Sequence, residues 1–292
     1  MTRANRFSSF SLAARCGTLL AAALCLGMTP RPALAQQPEI PAFWDGQEQL
    51  PKPDLSSLPR LRFLTTTDFP PFNFIDANGR LSGFHVDLAR AICRELGLEA
   101  RCQIQALPWD ELDEAMARGD GEALLAGIPA TAEARETYAF SRPYMRFPGR
   151  FAVRRASTIT TIDAAGLNGK RVGVLAGSAH EQMLRDYFPE TQPVTFSRQD
   201  WLWEALKDNK LDAVFGDGMR MGFWLSGTEA SGCCRFAGGP YLAPDYLGSG
   251  LSVAVPAEKP KLAAAFDYAL QQITAKGVFA ELYLRYFPLS FY

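Results

Sequence analysis

The sequence predicts an α/β fold of two lobes, each a mostly parallel sheet flanked by helices, and three observations carry that prediction. Short apolar strands and amphipathic helices alternate from about residue 60, the alternation restarts after Ile159, and two strand-like stretches, 150–154 and 251–255, flank the second round. The chain thus leaves one unit, builds another and returns. The second lobe reads as an insertion, and its two crossovers read as a hinge.

The first lobe opens with an apolar strand over Leu61–Thr65. A helix over 83–96 follows, with Phe84, Leu88, Ile92 and Leu96 recurring on one face and Gly97 as its C-terminal stop. Residues 101–105, 109–118 and 122–126 continue as strand, helix and strand, the pattern of a parallel sheet wrapped by helices. The second lobe repeats it with a strand at 170–175, a helix at Ala179–Tyr187, a strand at 194–196, a helix at 201–207 and a strand at 213–216. An amphipathic helix bearing Leu262, Phe266, Leu270 and Ile273, then Val278–Tyr286, is expected to pack back on the first lobe. The expected bounds are 60–153 and 250–292 for the first lobe and 154–249 for the second.

Ahead of these lie two segments of different character. Residues 1–35 carry Arg3, Arg6, Arg15 and Arg31 without an acid, an apolar stretch from Leu19 to Met28, and Ala33-Leu34-Ala35 before Gln36. That is the pattern of a secretory signal cleaved after Ala35, because the apolar stretch is well short of the roughly 20 residues that span a bilayer. Leu24 stands before Cys25, where a lipid attachment signal wants a small residue, so a soluble exported product is expected. Residues 36–59 hold Pro38, Pro41, Pro51, Pro53 and Pro59 among polar residues and read as an extended linker rather than a packed element.

Loss of the four signal arginines moves the formal net charge from −1 to −5. A mildly acidic product argues against nucleic acid or an anionic membrane as partner. Four cysteines remain, Cys93, Cys102, Cys233 and Cys234. Cys93 closes a helix and Cys102 opens the next strand, so a bridge clamping that corner is expected in an oxidising compartment. Cys233-Cys234 reads equally as a vicinal disulfide or as two free or wrongly paired thiols. The only histidines are His85 and His180, neither near a cysteine pair in sequence, so no metal site and no cofactor is expected.

Six segments fall in a telling order: Phe69-Pro70-Pro71-Phe72, Gly83-Phe84-His85-Val86-Asp87-Leu88-Ala89, Pro108-Trp109-Asp110-Glu111-Leu112, Phe140-Ser141-Arg142-Pro143-Tyr144, Leu167 to Val174, and Leu211-Asp212-Ala213-Val214 with Asp217. In sequence and spacing they resemble the bacterial extracellular solute-binding proteins of family 3, the binding subunits of polar amino-acid ABC importers. The resemblance runs from about Arg62 to Pro288. It implies a type II periplasmic binding fold, a monomer that captures a small solute, and a permease in the inner membrane as partner. His85 departs from the acid usual there, and a helix-start histidine is expected to be solvated rather than a metal ligand.

The resemblance also places the site. Phe69 and Trp109 would flank the ligand's side chain, against core packing as the alternative for either ring. Gly177-Ser178, leading into a helix at Ala179 and His180, would offer free backbone N–H groups to a carboxylate. Asp217 would hold an amino group, cap the helix beginning near Gly218, or do both. In the first lobe, Thr131 is followed by Ala134 where similar proteins carry an arginine. Arg135 comes one residue later, about 100° around a helix, and is expected either to reach the ligand or to stand as a solvated surface residue. Gly127 and Pro129 replace small polar residues, and Ala179 a threonine, so the carboxylate grip reads as altered.

Two other functions fit the same scaffold: a periplasmic accessory protein of an alcohol dehydrogenase system, and a cyclohexadienyl dehydratase-like enzyme with His180 and Glu181 as acid or base. No nucleophile elbow, phosphate loop or paired metal-ligand motif occurs.

Overall fold

The computed structural model describes residues 43, 45, 47–159, 161–163 and 165–292. The signal expected over 1–35, with its cleavage point, lies outside them. One group of elements comprises β1 (Leu61–Thr65), β2 (Asp68–Phe69), β3 (Asn73–Ile75), β4 (Leu81–Ser82), α1 (Phe84–Leu96), β5 (Cys102–Ala106), α2 (Leu112–Ala117), β6 (Ala123–Leu124), α3 (Ala134–Thr137) and β7 (Tyr138–Phe140). A second comprises β8 (Gly149–Arg154), β9 (Arg171–Leu175), α4 (Ala179–Tyr187), β10 (Gln192–Phe196), α5 (Gln199–Lys207), β11 (Ala213–Asp217), α6 (Gly218–Ser226), β12 (Cys234–Tyr241) and α7 (Pro244–Leu247). The chain closes with β13 (Ala254–Pro256), α8 (Pro260–Ala275) and α9 (Val278–Tyr286).

Two five-stranded mixed sheets result, in the orders β5-β1-β6-β13-β7 and β10-β9-β11-β8-β12. Each has three parallel strands followed by a strand that runs antiparallel to its neighbours. In each sheet that antiparallel strand has just arrived from the other one. The segments that carry β8 and β13 meet at Leu251, whose N–H donates to the Met145 carbonyl at 2.7 Å and whose carbonyl accepts from Tyr144 N–H at 2.9 Å. A paired crossing of this kind concentrates rotation in a few residues.

Period and burial agree within the elements. Phe84, Leu88 and Ile92 of α1 share one core with Leu262, Phe266 and Leu270 of α8 and Tyr283 of α9. The return helices therefore complete the first sheet's core, as their apolar stripe predicts. Gly83 caps α1 at φ 131°, and a Cβ there would stand 2.2 Å from the Phe72 carbonyl oxygen, so only glycine fits. The second sheet is buried on both faces. Phe151, Val153 and Phe215 pack on one side, and Ala152, Val214 and Trp224 on the other, as alternation along a strand requires.

Two expectations change and one open reading is decided. The helix expected over 109–118 breaks into a single tight turn, Trp109–Glu111, and then α2, because Pro108 holds an extended conformation and supplies no side-chain cap. The proline-rich extension forms no helix or strand over its described part, but it is not a free linker. Leu55 and Leu58 pack against the first core, Arg101 donates to the Leu58 carbonyl at 2.5 Å, and Gln271 bonds both the Glu48 carbonyl and the Leu50 N–H. Its prolines keep it extended while its leucines hold it down. Lastly, Cys233 and Cys234 form a vicinal disulfide, which decides between the two readings, alongside the expected Cys93–Cys102 bridge.

Candidate functional site

Ligands in open α/β sheets collect beyond the carboxyl ends of parallel strands. The sequence-predicted site residues follow such ends. Phe69 comes after β1, Trp109 after β5, and Gly127, Thr131 and Arg135 after β6. Ser178, Ala179 and His180 come after β9, and Asp217 ends β11. The ladder pairs Thr65 with Ala106 and Leu175 with Phe196, so neighbouring loops leave each sheet together.

In the first lobe, Phe69 and Gly127 are brought together. A Cβ on Gly127 would lie 2.9 Å from the Phe69 ring, and Gly127 has φ +85°. The Phe69 ring is half-buried and stacks on Phe72 with centroids 4.7 Å apart. Trp109 is 52% exposed, which removes core packing as its role. Thr131 lies in the turn that leads into α3, its Oγ1 accepting from Ala134 N–H at 3.1 Å and its carbonyl from Arg135 N–H at 3.1 Å. Arg135 is exposed, with its guanidinium over the Phe140 ring at 5.3 Å.

In the second lobe, Ser178, His180 and Asp217 line one cavity of about 300 Å³ together with Gln199, Phe215 and Arg220. Helices α4, α5 and α6 each contribute from their first turn. Ser178 caps α4 by accepting from Glu181 N–H at 3.1 Å, and Glu181 reaches back past the cap to accept from Gly177 N–H at 2.8 Å. Asp217 caps α6 through Oδ1, which accepts from Arg220 N–H at 2.7 Å. The capping expected of Asp217 is therefore made, with Oδ2 left over. His180 is partly buried against the Phe215 ring at 5.9 Å, and burial lowers its pKa, with Asp217 opposing the shift and Arg220 adding to it. Ala179 is exposed at the first position of α4.

Phe69, Trp109 and Arg135 do not line this cavity. Gly127 and Thr131 line another, of about 470 Å³, whose far wall is Pro244, Leu247 and the glycines of 248–251. Ser178, His180 and Asp217 thus share one cavity, Gly127 and Thr131 line a second whose opposite wall includes α7 of the second group, and Phe69, Trp109, Arg135 and Ala179 line neither.

His85 corrects an expectation. It is fully buried, not solvated: its Nδ1–H donates to Asn73 Oδ1 at 2.6 Å and its Nε2 accepts from the Tyr144 hydroxyl at 2.7 Å. Asn73 in turn donates to Thr66 Oγ1 at 2.7 Å. Burial pushes the imidazole pKa down to about 3, so it stays neutral and holds the loop bearing Phe69 to the crossover at Tyr144. No cluster of ligating side chains suited to a metal ion occurs among the described residues.

Sequence reasoning missed Gln199 and Arg220. The signal was present, since both stand in the first turn of a helix that directly follows a parallel strand, as Ser178 and His180 do after β9.

Comparison with known proteins gives a consistent result. Residues 61–289 match the bacterial extracellular solute-binding proteins, family 3. The ABC transporter arginine-binding protein 1 of Escherichia coli K12 is 29% identical over 80% of this chain and 93% of its own. Among solved structures, the L-cystine solute receptor of Neisseria gonorrhoeae in its unliganded open conformation is similar at 18% identity, covering 80% of this chain and 94% of that one with a TM-score of 0.67. An ancestral cyclohexadienyl dehydratase is similar at 19% identity, covering 80% and 95%, with a TM-score of 0.66. Those two structures show a shared two-lobed fold, one that serves a receptor and an enzyme alike. With a match spanning both sheets and the helices that return to the first, this chain belongs to the bacterial extracellular solute-binding proteins, family 3.

Proposed function

We propose that this protein is a periplasmic monomer that captures a small amino-bearing solute between its lobes and delivers it to the permease of an ABC importer. The observation that carries the reading is the second-lobe cavity, where Asp217 keeps Oδ2 free of hydrogen bonds among the described residues after capping α6. A carboxylate oxygen fixed by its own helix start is a ready acceptor for an ammonium group. Phe69 and the exposed Trp109 supply aromatic surface for the rest of the solute. The relative from Escherichia coli K12 is named for arginine, which makes cationic amino acids the first probes.

No chemistry on the solute belongs to this reading. Glu181, the acid or base that the sequence offers beside His180, is held by Arg185 at 2.7 Å and by Gly177 N–H, and these bonds keep its carboxyl below the usual range. A carboxylate so engaged is a capping group and a poor proton donor.

Thermal unfolding with the twenty L-amino acids, simple amines and organic acids tests the proposal. A ligand at 100 times its Kd adds about 2.7 kcal/mol of stability, so the cognate solute raises Tm by several degrees. A flat response across amino acids and amines alike contradicts it.

A further inference from the structure

Arg220 stands out once the charges of the second-lobe cavity are paired off. Among the described residues its guanidinium makes no hydrogen bond, ion pair or ring contact, although it is exposed and lines the same wall as Asp217. The other charged groups nearby are committed. Glu181 is bound by Arg185, and Arg198 by Asp200 with contacts as short as 2.6 Å. His180 carries no charge at neutral pH, because burial lowers its pKa. Asp217 and Arg220 do not form an ion pair with each other: Oδ1 of Asp217 is bonded to the backbone of Arg220, not to its side chain. The cavity therefore presents one uncommitted carboxylate oxygen and one uncommitted guanidinium, on the capping residue of α6 and on the third residue of its first turn.

The capping residue and the third residue of a helix stand close enough for each side chain to reach the other's backbone, and here both line one cavity. That spacing suits a ligand whose ammonium and carboxylate are borne on the same or adjacent carbons. We infer that the second lobe alone reads both charges of a zwitterionic head group, Asp217 taking the ammonium and Arg220 the carboxylate, so that Arg220 selects amino acids over the corresponding amines and amides. The inference rests on the solute-capture reading and goes beyond it by naming the ligand's anionic group and its partner. Arginine is suited to this role because its planar fork matches a carboxylate bidentately and stays charged throughout. Residues of the first lobe then contact the remainder of the solute and set which side chain is preferred.

The test is isothermal titration of the full mature chain with the best-binding L-amino acid from the thermal screen and with its carboxamide, which keeps the ammonium and side chain but removes the anion. The native protein is expected to prefer the amino acid by about 10- to 100-fold, the range for a hydrogen bond to a charged group. Arg220→Met keeps the aliphatic stem and the backbone N–H that Asp217 caps, so its Tm without ligand is expected to match the native value. Its preference for the amino acid over the amide is expected to collapse to within about threefold, with Arg220→Lys intermediate. If Arg220→Met keeps the full preference, the carboxylate is read elsewhere and the inference falls while solute capture stands. If amines bind the native protein and no amino acid does, this inference falls while solute capture stands; if neither binds, the solute-capture reading falls and this inference with it.

Discussion

His85 shows how a single side chain is set by groups far from it in sequence. It sits at the start of α1, a position that is usually wet, but Asn73 from β3 and Tyr144 from the crossover close over it. Those partners lie 12 and 59 residues away, so nothing local signals the burial. The donors run one way, from the Tyr144 hydroxyl to His85, from His85 to Asn73, and from Asn73 to Thr66. An unfolded histidine titrates near 6.5 and this one near 3 in the fold. Below pH 6.5 the unfolded chain therefore binds a proton that the folded chain refuses, and stability is lost as pH falls. The loss from this one group reaches about 2 kcal/mol at pH 5. Denaturant titrations at pH 7 and pH 5 check it: His85→Gln, which cannot titrate, is expected to show a pH dependence smaller by that amount. Equal dependence in both proteins contradicts the assignment. Asp217 was legible, because a strand ending in an acid before a helix has two ordinary uses, and the fold makes the capping one directly. Arg220 was not singled out, because an arginine one turn into a helix looks like any solvated cation until its lack of a partner is seen.

Among elements, those with strong period were readable and those without it were not. Leu61–Thr65, Ala179–Tyr187 and Val278–Tyr286 appear with the bounds the sequence predicts, since their apolar positions repeat cleanly and caps or breakers flank them. Strand β12 escaped notice because Gly238-Gly239-Pro240 inside it reads as a turn, and the ladder does shift register between Ala237 and Tyr241. The small sheet of β2, β3 and β4 was missed for a different reason: strands of two or three residues carry no measurable alternation. The turn after β6 offers a test of the proposed binding surface. Gly127 has a left-handed backbone and lies directly beneath the Phe69 ring. Gly127→Ala is expected to cost about 1–2 kcal/mol of stability from its backbone conformation. The added methyl also displaces the ring, so affinity for the solute is expected to fall at least tenfold, read by calorimetry beside a denaturant titration. Unchanged affinity would take Phe69 out of the binding surface.

At the scale of the molecule, the insertion of one α/β unit into another was legible because the strand and helix alternation visibly restarts and two spare strands flank it. The docking of the extension was not. A proline-rich run looks like a linker in sequence, and what holds it in place comes from far along the chain: the core beneath Leu55 and Leu58, Arg101 and Gln271 on its backbone, Arg142 on Glu48, and Tyr292 and Arg146 on Phe43. The paired crossing at Met145 and Leu251 joins the two groups of elements, and two cavities lie beyond their strand ends, one lined by Ser178, His180 and Asp217 and the other by Gly127, Thr131 and α7. The proposed capture requires the two lobes to close on one solute. Solution X-ray scattering of the mature chain, with and without a saturating amount of the solute found by thermal screening, measures that directly. The account predicts that the radius of gyration falls when the solute is added. A radius unchanged at saturation would contradict it.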